Sequence, residues 1–138
     1  MASSIALKKV SDYIVEARIL LQDRISPYRY DDASLVSALN LSLLEGRRLR
    51  ADLYVYSLVN KDGSVQSFTD ADSGQEVEIE QQFRQAFLNG MVGYALERDQ
   101  EDIEDDRATM FIGLMRYMLT GTKPSAPRQS VAAVQGDS

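Results

Sequence analysis

Carboxylates are the most frequent side chains in this sequence that can do chemistry, and one group of them is dense. It lies between Arg98 and Arg107 and consists of Asp99, Glu101, Asp102, Glu104, Asp105 and Asp106. A run of this kind can bind a hard cation or act in acid–base chemistry. No pocket-forming pattern accompanies it, and it interrupts the apolar spacing of the chain. We therefore expect it to cap a helix and form a solvated face; the alternative is an electrostatic surface that repels DNA or meets a basic partner.

The motif DADSG at Asp70–Gly74 is a second candidate, because calcium-binding loops begin with alternating acidic residues. A loop of the EF-hand type needs a glycine at its sixth position and a distal glutamate. In this chain the glycine comes one position early, where the third acidic ligand is missing. The motif therefore predicts a solvated turn.

The composition excludes several classes of enzyme. The chain has 138 residues, none of which is histidine or cysteine. Ser-His-Asp catalysis, zinc sites built on thiolates, most transition-metal sites and disulfides are thereby excluded. The sequence also has no glycine-rich phosphate loop and no nucleophile elbow. We expect a protein that is not an enzyme and uses no cofactor.

Arginine and tyrosine alternate in SPYRYDD at residues 26–32, and Arg47, Arg48 and Arg50 follow further along the chain. Such a pattern can contact nucleic acid. Nonspecific DNA binding needs a surplus of basic groups, whereas the formal net charge is −6, with +1 in residues 1–60 and −7 in residues 61–138. We expect Arg47, Arg48 and Arg50 mainly to complement a helix C-terminus. A phosphate contact or a salt bridge between subunits remains as an alternative.

The first two helices can be placed by their spacing and caps. Apolar residues spaced three and four apart predict helix one over about residues 4–22, capped by Ser3 or Ser4, and Pro27 separates it from helix two. Helix two is predicted over about residues 32–50, with Asp31 as N-cap and Tyr30 packing on Leu35 as a hydrophobic staple. Arg29 has no structural role in this scheme, so it is a candidate for contact with a partner.

Helix two carries apolar residues on two sides. Leu41 and Leu44 lie nearly opposite Leu35 and Leu39 at about 100° per residue. A second cover is therefore expected, which can be another helix of the chain or a neighbouring subunit. After helix two, strand-forming residues around the turn NKDG predict a short β-hairpin or an extended arm over residues 54–78.

The second half of the chain predicts two more helices. Helix three, over about residues 79–98, has two apolar faces and is expected to be central, with Gly90 and Gly93 permitting close approach of another helix. Helix four is predicted from an Asp102 cap to about Leu119, with Gly121 just beyond its end. Residues 122–138 are small and polar and are expected to form a flexible C-terminal tail.

These elements predict a mainly α, four-helix bundle-like domain at residues 1–121, which includes the arm, and an extended tail at residues 122–138. No apolar run approaches about 18 residues, so we expect no membrane span. The N-terminal segment lacks the long apolar core of a secretory signal, so we expect synthesis in the cytosol.

The order of these elements resembles a known family. An amphipathic helix ending in LLQD is followed by PYRYDDASLVSALNLSLLEGRRLRADLYV and, after the arm, by FRQAFLNGMVGYALERDQEDIEDDRATMFIGLMRYML. Over residues 5–120 this arrangement resembles the small helical head-to-tail adaptor (connector) proteins of tailed bacteriophages. The segment between Leu53 and Ile79 matches least and looks shorter than in many relatives.

The resemblance implies a structural protein of the virion neck, which is present in the host cytoplasm during assembly. Copies would form a homo-oligomeric ring, commonly a dodecamer, below the portal protein. The ring would extend the DNA channel, let DNA pass without specific binding, and provide the attachment surface for a downstream tail or nozzle protein. The acidic run would line or border the channel.

The candidate contacts with other copies or partners lie on the predicted helices, the arm and the tail. They are Arg29, Leu41, Leu44, Arg47, Arg48, Tyr54, Tyr56, Leu88, Val92, Pro124 and Arg128, and the apolar residues of the helices pack either internally or against neighbours. The alternative function is a small helical regulatory or DNA-binding protein. The two helices around Pro27 and the arginine–tyrosine cluster favour it, and the net charge opposes it.

Overall fold

A computed structural model describes residues 7–23, 25–98 and 105–121 and confirms the mainly helical class. Its four α-helices are α1 (Val10–Leu21), α2 (Asp32–Leu49), α3 (Arg84–Glu97) and α4 (Asp105–Thr120). Short 3₁₀ turns occupy Ala51–Tyr54, Asp70–Asp72 and Gln81–Phe83. No β-strand occurs in these three ranges. The predicted tail and the predicted Ser3, Ser4 and Asp102 caps lie outside the described residues.

α3 is the central helix. Every residue from Ala86 to Gly93 is buried, and Ala95 and Leu96 are buried as well. α2 and α4 make most of its contacts, and α1 makes fewer. A helix that is apolar on all sides must be covered on all sides, so α3 organises the packing of the other three helices.

Glycines allow these helices to approach closely. A Cβ atom added at Gly93 would lie 2.6 Å from Ile112 Cγ1 and 3.0 Å from the backbone nitrogen of Ile112. One added at Gly90 would collide with the sulfur of Met115. Both neighbours belong to α4, which confirms the predicted close approach at Gly90 and Gly93.

α1 begins later than its apolar spacing predicts. Residues 7–9 are not helical and pair with the end of the arm, where the backbone N–H of Val77 donates to Lys8 O at 2.8 Å. The first helical N–H groups then donate to the arm as well, from Val10 to Gln75 O and from Ser11 to Ser73 O, each at 2.9 Å. Long-range pairing therefore sets the start of this helix.

α2 begins as its local sequence predicts. The backbone N–H of Ser34 donates to Asp31 Oδ1 at 2.7 Å, and this hydrogen bond lowers the pKa of Asp31. Tyr30 and Leu35 are both buried in the core, as a hydrophobic staple requires. The N-cap prediction is therefore confirmed.

The arm between α2 and α3 contains one antiparallel bridge, between Val59 and Val65, where a hairpin would have two paired strands. The arm is fixed to α2 by Asn40. The Asn40 amide donates to Phe68 O and its side-chain oxygen accepts from the Phe68 N–H, both at 2.9 Å. The Phe68 side chain is buried. The arm is thus attached to α2 through its main chain and through its side chains.

The Tyr13 hydroxyl is a buried polar group with no hydrogen-bond partner among the described residues. Burial raises the pKa of Tyr13 above its usual range. Removing an unpaired buried hydroxyl also removes its desolvation cost, so we expect Tyr13→Phe to leave the free energy of unfolding unchanged or to raise it.

Tyr54→Phe is the matched control, because the Tyr54 hydroxyl donates to Leu43 O at 2.6 Å. It should lower the free energy of unfolding by about 1 kcal/mol, the usual value of one neutral hydrogen bond. Urea denaturation of both variants measures the difference. A Tyr13→Phe variant as destabilised as Tyr54→Phe would contradict the assignment of an unpaired hydroxyl.

Candidate functional site

The described residues contain no cluster of three or more side chains able to hold a metal ion. In the DADSG motif the carboxylate of Asp72 is occupied within the chain. It accepts from the Thr69 N–H at 2.8 Å and from Gln75 Nε2 at 3.1 Å. Asp70 is exposed at the start of the same 3₁₀ turn. The motif therefore forms a capped, solvated turn, as its glycine spacing predicts.

The basic end of α2 is tied to α4 by a shared carboxylate. Glu45 binds Arg48 through two hydrogen bonds of 2.9 and 2.6 Å, and it binds Arg116 of α4 at 2.9 Å. The hydrogen bonds from Arg48 are the main reason why the pKa of Glu45 is lowered. Arg47 donates to Gly63 O in the arm at 2.8 Å. Both Arg47 and Arg48 are exposed, so each combines an intrachain bond with a free outer side.

Arg50 connects three segments, which the sequence did not reveal. Its guanidinium forms two 2.9 Å hydrogen bonds to Asp52 and a third of 2.7 Å to Leu119 O at the end of α4. It also lies over the Phe83 ring. Arg50 therefore closes the end of the bundle where α2 and α4 both terminate.

A buried ionic network joins α1 to α2, and we call it the Arg18 network. The buried Arg18 donates to Asp23 Oδ2 at 3.2 Å, to Tyr30 O at 2.6 Å and to the Asp32 carboxylate. Asp23, also buried, accepts from the backbone N–H groups of Arg29 and Tyr30 at 2.8 and 2.9 Å. Arg29 therefore has a structural role through its backbone, and its side chain is exposed.

Large apolar side chains remain exposed on α4, in a row that we call the α4 stripe. It consists of Met110, Leu114 and Tyr117, which are spaced four and three residues apart and lie opposite the buried Ile112 and Leu119. The spacing of four and three residues between these positions is visible in the sequence, so the stripe could have been found from its periodicity.

Further apolar exposure lies on α2 and on the arm. Leu44 is 56% exposed and Leu41 is half-buried, so no helix of the described chain covers Leu44. In the arm Val55 is exposed, and Tyr56 is 98% exposed. A tyrosine so fully in solvent contributes nothing to the core of its own chain.

The third exposed apolar surface follows α1. Val15 and Ile19 lie on its outer side, and Ile25 in the next loop is 84% exposed. Ile19, Gln22, Asp23 and Ile25 line an open cavity of about 500 Å³, which we call the α1 cavity. Four separate elements, α1, α2, the arm and α4, thus each expose apolar side chains.

Three predicted contact residues belong to the core, which corrects their assignment to a partner surface. Tyr54 is 4% exposed and bonded to Leu43 O, and Leu88 and Val92 are buried in α3. For Leu88 and Val92 the structure selects internal packing over a neighbouring subunit, because α3 is enclosed by the other helices.

Some of the remaining predicted site residues lie in the described ranges of the chain, and the others lie outside them. Asp106 is exposed in the first turn of α4, and Asp105 is the first residue of that helix. The other acidic candidates and the tail candidates lie outside the described residues; they are Asp99, Glu101, Asp102, Glu104, Pro124 and Arg128.

In the described part of the chain, no helix is both long enough and apolar enough to cross a membrane. Comparison with protein-family models, curated proteins and solved structures finds no match to this chain.

Proposed function

We propose that the protein is a structural head-to-tail adaptor of a tailed bacteriophage. Copies form a ring below the portal protein, extend the DNA channel and provide the surface to which the tail attaches. The observation that carries the proposal is the exposure of large apolar side chains on four separate elements around one well-buried helix. They are α1 with the loop after it, α2 at Leu44, the arm at Val55–Tyr56, and the α4 stripe.

The number of these surfaces favours an assembly subunit over a free monomer. Contiguous apolar exposure on a protein surface generally marks contact with another molecule. A ring subunit needs contacts with two like neighbours and with a component along the ring axis. Apolar side chains exposed on four different elements suit a subunit with several contacts, whereas a single-substrate enzyme needs one concave site.

The charge of the chain supports passage of DNA without retention. The formal net charge is −6, and Asp106 is exposed at the start of α4. Like charge on a channel surface raises the free energy of DNA that lingers there. The exposed Arg48 and Arg116 are each paired with Glu45, which reduces their availability to phosphate.

The proposal is tested with the purified chain and the portal protein encoded in the same phage genome. Negative-stain microscopy should show an added ring of density at the tail-proximal end of the portal, and sedimentation should show co-migration. If the chain does not bind the portal but binds duplex DNA tightly in a salt-dependent gel shift, the result would instead support the regulatory alternative.

Removing residues 122–138 should separate folding from docking. The described core ends at Gly121, where a positive φ of 74° closes α4. We expect the helical circular dichroism and the melting temperature to be preserved, because no described core residue is lost. Binding to the portal should weaken, because a segment without a large apolar face gains order only on a partner.

A full-length chain with the 17 tail residues in shuffled order is the control, since it keeps length and charge. Portal binding is measured by co-sedimentation for all three proteins. If the truncated protein binds the portal as well as the intact chain does, the proposed role of the tail in docking is wrong. That result would leave the adaptor function itself standing.

A further inference from the structure

The α4 stripe is a row of large apolar side chains that the bundle leaves uncovered. Met110, Leu114 and Tyr117 are between 37% and 51% exposed and follow one side of the helix over two turns. The other sides of α4 are occupied, because the helix packs on α3 and contacts α2. Arg107 also ties it to α1 by donating to Leu20 O at 3.0 Å. The stripe therefore points away from the bundle.

We infer that the α4 stripe of one copy packs against the α4 stripe of a second copy, in an antiparallel pair related by a two-fold axis. Such a contact requires a surface that matches itself when it is reversed. Leu114, in the middle of the stripe, lies close to the axis and packs against its equivalent. Met110 of each copy then faces Tyr117 of the other, and a methionine sulfur beside an aromatic ring makes a favourable contact.

The surroundings of the stripe favour an uncharged, apolar partner of this kind. Asp106, the nearest exposed acidic residue on the same side, lies one turn before Met110. Arg116 lies at the edge of the stripe and is paired with Glu45 of α2 at 2.9 Å. A strongly charged partner would find no free counter-charge along the stripe, whereas a second stripe brings no like charges to the two-fold axis.

The charges at the two ends of α4 favour the antiparallel orientation. Residues 97–107, which join α3 to α4, carry seven acidic and two basic side chains, a balance of −5. The adjoining segment 18–32 adds three arginines and three aspartates, which cancel. Three arginines and two carboxylates are bonded at the other end of α4; they are Arg48, Arg50, Arg116, Glu45 and Asp52. A parallel pair would bring two acidic ends together, and an antiparallel pair avoids this repulsion.

The size of the stripe limits the strength of the pair. Three side chains on two helical turns cover less than the about 800 Å² per partner of a stable complex. The dimer is therefore weak and forms reversibly as the concentration rises. A contact of a surface with itself is closed, so association through the stripe stops at two copies.

This contact goes beyond the adaptor function, because it is a property of the free chain. It also leaves the arm accessible. Asn40 and Arg47 bind the arm on one side of α2, whereas Glu45 binds α4 on the other side. A dimer through α4 can therefore exist whether or not the copies later join a ring below a portal.

Engineered cysteines can report the orientation of the pair, because the chain has no cysteine of its own. In the antiparallel pair, position 110 of one copy lies beside position 117 of the other. Two equivalent positions are about 10 Å apart along the helix, which is beyond the reach of a disulfide. A mixture of Met110→Cys and Tyr117→Cys should therefore crosslink on mild oxidation, mainly to the mixed dimer as identified by intact mass, and each variant alone should crosslink poorly.

Sedimentation velocity of the full chain measures the association itself. Leu114→Glu places two like charges at the two-fold axis and should need at least about tenfold more protein to dimerise. Val15→Glu, at an exposed position of α1, is the matched control and should dimerise like the unaltered chain. A mixture of Leu114→Glu and Leu114→Lys should regain the dimer, because opposite charges then meet at the axis. Circular dichroism should show the same helix content for all of these proteins.

The inference is overturned if the unaltered chain stays monomeric at about 1 mM, a concentration at which contacts of only 4 kcal/mol are populated. It is also overturned if Met110→Cys or Tyr117→Cys alone crosslinks as well as their mixture, or if the mixture of charged variants stays monomeric. A monomeric chain that loses portal binding through Leu114→Glu would show that the stripe binds the portal instead. A chain that dimerises through α4 but does not bind a portal keeps the inference and loses the adaptor function.

Discussion

Replacing Arg18 with methionine should lower the free energy of unfolding by about 3–5 kcal/mol, the usual cost of breaking a buried ion pair from one side. Methionine keeps most of the apolar length of the arginine side chain but leaves the buried Asp23 without its cation. The carbonyl of Tyr30 and the carboxylate of Asp32 lose a donor in the same step. Urea denaturation followed by circular dichroism measures the change.

Arg48→Met is the matched control for this prediction. Arg48 also forms two hydrogen bonds to a carboxylate, but its side chain is 64% exposed. Water replaces the lost partner at such a site, so stability should change little. Equal losses of unfolding free energy in the two variants would show that the stabilisation by the Arg18 network does not depend on its burial.

Replacing Gly93 with alanine should lower the free energy of unfolding by about 2 kcal/mol. The gain in helix propensity is about 1 kcal/mol, whereas overpacking costs up to about 3 kcal/mol. Overpacking prevails because the new methyl group would meet the backbone of α4, at Ile112 N and at 3.2 Å from Ala108 O. A side chain can rotate away from such a contact, but the backbone of a packed helix cannot.

Gly74→Ala is the corresponding control, since a Cβ atom at Gly74 would meet nothing within 4 Å. Its stability should be unchanged or slightly raised through the less flexible unfolded chain. Thermal unfolding of the two variants provides the measurement. If Gly93→Ala proves as stable as Gly74→Ala, α3 and α4 do not pack as closely at Gly93 as described.

Features of the fold that depend on neighbouring residues could be predicted from the sequence. The Asp31 cap and the boundaries of α2 are examples, because Ser34 and Tyr30 act within a few residues of the cap. The glycines of α3 are another, because only close packing explains two of them in so apolar a helix. In the first case the deciding interactions join residues close together in the sequence. In the second case the residue type, glycine, itself indicates close packing.

The starts of α1 and α3 could not be placed in this way, because distant segments determine them. Val77 and Ile79 are buried and the glutamates between and beside them are exposed, which is the alternation of an extended segment. That segment pairs with Lys8, so Ile79 and Glu80 precede the helix, a 3₁₀ turn occupies Gln81–Phe83, and α3 begins at Arg84.

The surface candidates were harder to predict than the helices. Tyr54 and Tyr56 are two residues apart in one segment, yet the first is in the core and the second is in solvent. Tyr54 is the last residue of the 3₁₀ turn Ala51–Tyr54, which directs its ring into the core, whereas Tyr56 lies beyond that turn. Arg18 could have been noticed, because it lies between Ile14 and Leu21 on the buried side of its helix.

The pairing of α1 with the arm has a consequence for the order of folding during synthesis. The first N–H groups of α1 are satisfied by the carbonyls of Ser73 and Gln75, more than sixty residues further along the chain. The cap of α2 at Asp31 is three residues from Ser34, so it needs no distant segment. At the start of α1, Asp12 accepts from the Lys8 and Lys9 N–H groups, but the Val10 and Ser11 N–H groups are paired only once residues 73–75 have been synthesised.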